Sequence, residues 1–515
     1  MPQGLLPFKY EAEESSSGMT ALAGLPVYLD LAKLFNLCQS VAENVNARKN
    51  KQGWTDAQLV MSLVLLQLAG GDCVDDLRIL QGDDGFCRVL ERVELELLGM
   101  KRPARRELQL RWRKEKQRVV PSPSSAFRFL KAFEVDESDR QAGKSWIPEA
   151  SAALNGLRLV NRDLVAKIQA ANPQRTATLD VDATLQEVWK RNGLHCYKGF
   201  KAYQPLNVYW MEHDVVLHSE FREGNVYAGF EILRVTQEAL GYLPAGTEKV
   251  FVRSDSAAYQ VDYLTWMAKG DKTGVGVIEF SVSVEVQKAF RAAVAALSDK
   301  DWKPVLRPEK GKDGQVTMKE TGKEYAEVCY VPTWLGRNKT CPDLRFVAVR
   351  ERLSEVDQLR FPGMEAQQLE LPFPVMDCAS GRYKLHGIVS NRLTMPASEL
   401  VLWHWARCGK SEQVHDVMKG DLAGGTSPCG TFGPNAAWWA IMIIALNLNS
   451  AMKRLVLGGP CSNLRLKSIR FGFICIPGRV LDHARQLVVR VSVGHPSYQS
   501  LLQAREKICE LAEAA

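Results

Sequence analysis

The sequence predicts an α/β protein, an open sheet with helices packed on it, interrupted by a mostly β insertion and flanked by a helical N-terminal domain and a helical C-terminal region. Three changes of texture along the 515 residues carry this expectation. Residues 20–98 hold helical patterns with start and stop signals. Near residue 176 the apolar spacing switches to alternation, the period of a strand. From about 286 to 385 the chain turns polar and rich in Gly, Pro and Lys, with short strand-like pieces. The expected divisions are 1–155 (helical), 156–285 (first part of the α/β core), 286–385 (β insertion), 386–455 (second part of the core) and 456–515 (basic and helical).

Each element has its local reason. In "GWTDAQLVMSLVLLQLAGGD", Thr55 and Gln58 form a capping box, apolar positions follow, and Gly70-Gly71 ends the helix. "VVPSPSSAFRFLKAF" sets Pro and Ser ahead of an aromatic helix that carries Arg128 and Lys131. "TATLDVDAT" is a strand, and "QPLNVYWMEHDVVLHSEFREG" gives two more joined at a turn in "EHD". "NVYAGFEILRVTQEALGYL" is expected to be a helix capped by Asn225. "EKVFVRSDSAAYQ" is a strand and turn, "VDYLTWMAKG" a helix ending at Gly270, and "GVGVIEFSV" a strand. After the insertion, "KLHGIVSNR" is a last strand and residues 394–425 a long helix ending at Gly424-Gly425. Three antiparallel strands followed by alternating helix and strand is the layout of a ribonuclease-H-like core.

Composition excludes some classes. The longest apolar run, "AAWWAIMIIAL", has 11 residues, against about 20 for a membrane span, and reads as a buried core helix. The first residues lack the basic start and apolar core of a signal peptide. Twelve cysteines occur with no CxxC pair and no Cys/His cluster, which argues against zinc and fits a reducing compartment. Charge is concentrated. Residues 101–118 hold nine Lys/Arg against two Glu, a net +7, and residues 453–490 hold eight against one Asp, again +7; the whole chain is also +7. Two such segments suit a polyanion such as nucleic acid. Arg105, Arg106, Arg111, Arg113 and Lys114 in the first, and Arg465, Lys467 and Arg470 in the second, are the expected contacts. In "FREGN", Arg222 and Asn225 stand at a strand-to-helix junction where a helix N-terminus favours phosphate.

Asp180 and Asp182 alternate with Leu179 and Val181, so two acids share one face of an apolar strand. Asp255 ends the strand "VFVRSD", where open α/β sheets place their sites. In the expected layout these two strands are neighbours, and Asp182 would approach Asp255. Like charges in low dielectric are costly unless a cation lies between them, and oxygen ligands suit Mg²⁺ or Mn²⁺. "GKSEQVHDVMK" offers Glu412 as a third acid, with Lys419 two helical turns later.

"LDVDAT", "FREGN", "VRSDSAAY" and "RCGKSEQVHDVMKGDLAGG", with "GLPVYLDLAKL" and "FGPNAAWWAIMIIALNLN", together resemble the DDE transposases of bacterial insertion sequences, in the branch marked by a Y-x2-R-x3-E-x6-K helix. The resemblance spans residues 18–505. It implies Asp182, Asp255 and Glu412 as the catalytic, metal-holding triad with two Mg²⁺ or Mn²⁺ ions, Lys419 as the helix lysine, and Asp180 as a supporting acid. It implies double-stranded DNA as substrate (terminal inverted repeats and target), a homodimer in synapsis, no membrane, and a cytoplasmic, nucleoid-associated setting. It implies aromatic stacking on a flipped base, for which Trp334, Trp403 and Trp405 are candidates. The spacing departs from the pattern in one place. Strict counting from Glu412 puts Trp405 and Cys408 at the tyrosine and arginine, whereas Arg407 lies one residue early with His404 in the tyrosine place. On a regular helix Arg407 would point about 140° away from Glu412. The alternatives are a nuclease of the same fold and a transposase-derived DNA-binding regulator.

Overall fold

The computed structural model describes residues 17–514, apart from 49–52, 100–117, 139–140, 142–143, 191–192, 312–314, 338–340, 354–373, 379 and 485. Arg105, Arg106, Arg111, Arg113 and Lys114 lie outside the described residues, as does most of the opening segment.

A ten-stranded mixed sheet organises the α/β fold. Its strands are β1 (Thr176–Ala183), β2 (Leu206–Trp210), β3 (Val215–Glu220), β4 (Lys249–Ser254), β5 (Glu279–Val284), β6 (Lys303–Lys310), β7 (Val316–Val328), β8 (Arg345–Arg352), β9 (Val375–Cys378) and β10 (Gly381–Ser390). The order across the sheet is β6-β7-β8-β10-β5-β4-β1-β2-β3, with β9 beside β10. β1 is antiparallel to β2 and β2 to β3, joined by a tight turn in which Asp214 adopts φ 60°. β1 and β4 are parallel, as are β4 and β5. Parallel neighbours need a crossover. The Ile232–Gly241 helix precedes β4, and the Val261–Lys269 helix joins β4 to β5.

Three elements differ from the sequence expectation. The helix expected from Asn225 begins at Ile232, and Glu231 stands at its start in the left-handed region. The Asn225 side chain instead donates to the Lys144 carbonyl at 3.0 Å. Gly229 lies against the Ala257 carbonyl so closely that a Cβ would sit 2.2 Å from it, which holds residues 225–231 as a folded-over loop on the turn after β4. The strands of the 286–385 region do not form a separate sheet. β10 pairs antiparallel with β5, Gly387 opposite Val284, so β6 to β10 continue the core sheet. The C-terminal region is not wholly helical. Gly478–His483 and Gln486–Arg490 make a hairpin that pairs with Met19–Thr20, and the Tyr498–Glu513 helix follows.

One buried cluster runs from the N-terminal helices through the sheet to the C-terminal helix. The Phe432–Ala451 helix lies at its centre, and its amides tie the layers together. Asn447 donates to the Val216 carbonyl and accepts from the Val216 N–H, both at 2.8 Å, and donates to Asn161 at 2.7 Å. Asn449 accepts from the Tyr28 hydroxyl at 2.9 Å. Buried amides are tolerated when satisfied in this way. The helical run Phe432–Leu457 is long and apolar enough to cross a membrane by length and composition, but 72% of its most apolar window is buried inside the protein. The Asp56–Ala69 helix has the predicted Thr55–Gln58 capping box and a left-handed Gly70 at its end.

Candidate active site

The site is built at the C-terminal ends of β1 and β4. Their parallel register sets Asp180 opposite Arg253 and Val181 opposite Ser254. Asp182 and Asp255 are the next residues on the two strands. The Ser254 hydroxyl donates to the Val181 carbonyl at 2.8 Å, clamping the strand ends just before the two acids.

The two acids of β1 have different surroundings. Asp180 is buried and forms a bidentate pair with Arg253, 2.7 Å to Nε and 2.8 Å to Nη2. Arg253 also donates from Nη1 to the Trp403 carbonyl at 2.8 Å. That places one ion pair across β1, β4 and the Ala397–Trp405 helix. Asp182 is at the edge of the buried region. Burial pushes its carboxyl up to about 7 against the opposing pull of Arg407, and the carboxylates of Asp255 and Asp180 push the same way as burial. Asp255 accepts from the Ala257 N–H at 3.0 Å through Oδ1, capping the short turn Ser256–Ala258.

The long helix expected over 394–425 is broken. It consists of Ala397–Trp405, a turn at Gly409 (φ 79°), Lys410–Asp416, and a wider π-helical stretch over Val417–Asp421. The 140° displacement inferred from a continuous helix therefore does not apply. Arg407 reaches Asp182, with Nη1 3.2 Å from Oδ2, while its buried Nε has no partner among the described residues. His404 is buried and faces β5, its ring nitrogens 2.9 and 3.1 Å from the Ser281 and Ser283 hydroxyls. Burial lowers its pKa, so a neutral ring donates to one hydroxyl and accepts from the other.

The second helix is pinned along the sheet. Lys410 pairs with Asp214 at 2.9 Å. His415 lies 3.5 Å from Asn207, which is opposite Asp182 in the β1–β2 register. Lys419 donates to the Leu185 carbonyl at 3.4 Å, just past Asp182. Glu412, one turn before His415, is exposed and has no hydrogen bond or ion pair among the described residues. Asp182 and Asp255 thus stand at adjoining strand ends, close enough for each charge to bear on the other, with Arg407 on Asp182 and Lys419 on the Leu185 carbonyl three residues later. Among the described residues no three His, Cys, Asp or Glu side chains are gathered closely enough to hold a metal ion. The hard-oxygen pair Asp182/Asp255 suits a divalent cation in kind: burial first, and the Asp255 carboxylate after it, disfavour the charged form of Asp182, and a cation offsets both.

Several expected DNA contacts have other roles. Arg222 has no exposed surface and pairs with Glu220 at 2.8 Å, so it is a core ion pair and not a surface phosphate ligand. Arg470 donates to the carbonyls of Leu68 (2.8 Å), Gln67 (2.5 Å) and Asp421, capping the end of the Asp56–Ala69 helix. Arg465 is bidentate on Asp421 at 2.9 and 3.0 Å, and the exposed Lys467 lies 3.5 Å from the same carboxylate. Trp403 has two guanidinium groups over its ring, Arg392 4.6 Å and Arg253 5.6 Å from the ring centre. Trp405 faces Lys323 at 5.2 Å and lines an open groove of about 730 Å³ under the β6–β7 hairpin. Trp334 packs half-buried against the core. Sequence reasoning missed Arg253 and His415. A signal existed for Arg253, which stands two residues before Asp255 and so shares its strand face.

The comparisons with known proteins agree with this geometry in class. Residues 9–513 match the family described as transposase DDE domain, group 1. No curated protein matches the chain. A match over nearly the whole length settles the family: the chain belongs to the DDE-domain transposases of group 1.

Proposed function

We propose that the protein cuts and joins DNA ends, acting on the terminal inverted repeats of an insertion sequence, with Asp182, Asp255 and Glu412 as its triad on a ribonuclease-H-like core. The strand order β3-β2-β1-β4-β5, three antiparallel strands then two parallel ones, supports that core. The observation that supports the reading is the parallel β1–β4 register, in which Asp182 and Asp255 are each the next residue after the paired Val181 and Ser254.

These two acids and Glu412 would hold Mg²⁺ or Mn²⁺. Such ions activate a water or a 3′-hydroxyl and neutralise charge at the scissile phosphate. The chain's own groups do the positioning. Arg253 keeps Asp180 paired in the interior, so the carboxylate that the β1 face presents to the site is Asp182. Lys419, at the same strand end, suits a phosphate oxygen. Arg407 holds Asp182 towards its ionised form and has donors left for phosphate. Glu412, unpaired on the surface, approaches the two aspartates when DNA fills the site. Trp405, beside Lys323 in its groove, is the best placed of the three tryptophans for stacking on an extruded base. DNA contact by Lys467 and by the 101–118 segment, and pairing of two copies in synapsis, complete the reading.

The test is incubation of the purified protein with a labelled transposon end and a target plasmid, with Mg²⁺ or EDTA. Mg²⁺-dependent cleavage with joined product, lost in Asp182→Asn, supports it. Cleavage without joining indicates a nuclease. Specific binding without cleavage in Mg²⁺ indicates a regulator.

A further inference from the structure

Directly after β1 the chain makes a small lobe that the proposed chemistry does not use. Gln186–Glu187 and Leu194–His195 both pair with Lys201–Tyr203 in a three-stranded sheet. Its base is fixed in the core. Gln186 donates to the buried Ser427 hydroxyl at 3.1 Å, the Tyr203 hydroxyl accepts from Asn435 at 3.2 Å, and Gly224 lies so close that a Cβ would sit 2.4 Å from the Ala202 carbonyl.

The outer part carries large aromatics in water. Trp189 is 89% exposed and Tyr197 77%. Tyr197 and Lys198 are the central residues of a tight turn closed by Gly199 N–H to the Cys196 carbonyl at 2.9 Å, with Gly199 at φ 86°. The Lys198 ammonium lies 5.8 Å from the Tyr197 ring centre. Residues 186–203 hold four Lys/Arg against the single acid Glu187. The lobe starts four residues after Asp182, and Lys419 touches Leu185 at its root.

We propose that this lobe is a binding surface for unpaired DNA, with bases stacking on Trp189 and Tyr197 and backbone phosphates on Lys190 and Lys198. Folding alone gives no reason to hold two aromatic rings in solvent on a rigid base. Aromatic faces interleaved with cations are the chemistry that grips a single strand without reading its sequence. A second copy of the chain would favour an apolar patch with few lysines, which is not what residues 186–203 present. The position beside Asp182 puts the lobe where a strand freed by cleavage would emerge. This inference rests on the transposase reading above.

The test is fluorescence anisotropy of the full chain with a labelled single-stranded 20-mer and with its duplex, at two salt concentrations. Trp189→Ala and Tyr197→Ala are each expected to weaken single-strand binding by about 5- to 100-fold and leave duplex binding within about 2-fold. Lys190→Ala/Lys198→Ala should weaken both and flatten the salt dependence. Trp189→Phe should keep most of the affinity. Unchanged single-strand affinity in the aromatic variants overturns the proposal. So does a loss of self-association, read by sedimentation, with DNA affinity intact. Absence of any DNA binding by the unmodified chain would be a failure of the transposase reading itself, and cleavage that survives Asp182→Asn a failure of its triad.

Discussion

Arg407 rests on Asp182, Nη1 to Oδ2 at 3.2 Å, although 225 residues separate them. The break at Gly409 makes the contact possible by releasing Arg407 from the helical phase of Glu412. Arg407 is the main influence favouring the ionised form of a carboxyl that burial drives up to about 7. Arg407→Ala should therefore raise Asp182 further. If Asp182 must be ionised to act, the acid limb of the pH–rate profile for end cleavage moves to higher pH. A limb that stays in place, with only the maximal rate reduced, would mean that Arg407 serves phosphate alone.

The proton affinity of Asp182 also sets a stability trend. Its folded value of about 7 lies above the ordinary carboxylate value of about 4. Between those pH values the folded chain keeps a proton that the unfolded chain has released. Stability from this group falls as pH rises from about 4 to 7, then levels off. Asp182→Asn removes the penalty and should be more stable than the unmodified protein at pH 8, by roughly 1–3 kcal/mol, with no difference near pH 4. Denaturant melts at the two pH values in EDTA measure this.

Asp180→Asn should behave in the opposite way. It leaves Arg253 buried without its counter-charge, at a cost of about 3–5 kcal/mol. The loss should be present across neutral pH, because the pair it breaks spans β1, β4 and the Ala397–Trp405 helix. Equal stability of the two asparagine variants would contradict the division of roles between the acids.

Glu412→Gln should reduce cleavage on the order of 10³-fold or more while leaving end binding and thermal stability unchanged, because Glu412 is exposed and unpaired. Gel-shift and cleavage assays on one preparation separate the effects. Retained cleavage would remove Glu412 from the triad.

Arg470→Ala should cost about 1–3 kcal/mol of stability by orphaning the carbonyls of Leu68 and Gln67. Its affinity for DNA ends at a temperature where it stays folded should match the unmodified chain. A large affinity loss with an unchanged melt would restore Arg470 to the DNA surface.

The sequence by itself determined what depends on near neighbours. The Thr55–Gln58 box and Gly70 needed only residues within one helix to be readable. The alternation that put Asp180 and Asp182 on one face of β1 is a property of strand geometry, and so was legible in eight residues. Where the helix expected over 394–425 breaks was not, because Gly409 permits a positive φ without requiring one; what selects it is the pairing of Arg407 with Asp182 and of Lys410 with Asp214. Basic residues were misread for a related reason. Charge is visible in sequence, but whether a guanidinium meets solvent or a distant carbonyl is decided by packing. Arg222 and Arg470 are held inside by Glu220 and by the end of the Asp56–Ala69 helix, the latter 402 residues away in the chain at Leu68. The different roles of Asp180 and Asp182 likewise came only from tertiary structure. The parallel register sets Asp180 against Arg253 inside the sheet, whereas Asp182 lies one residue beyond the paired positions, part-exposed, where Arg407 reaches it from the broken helix.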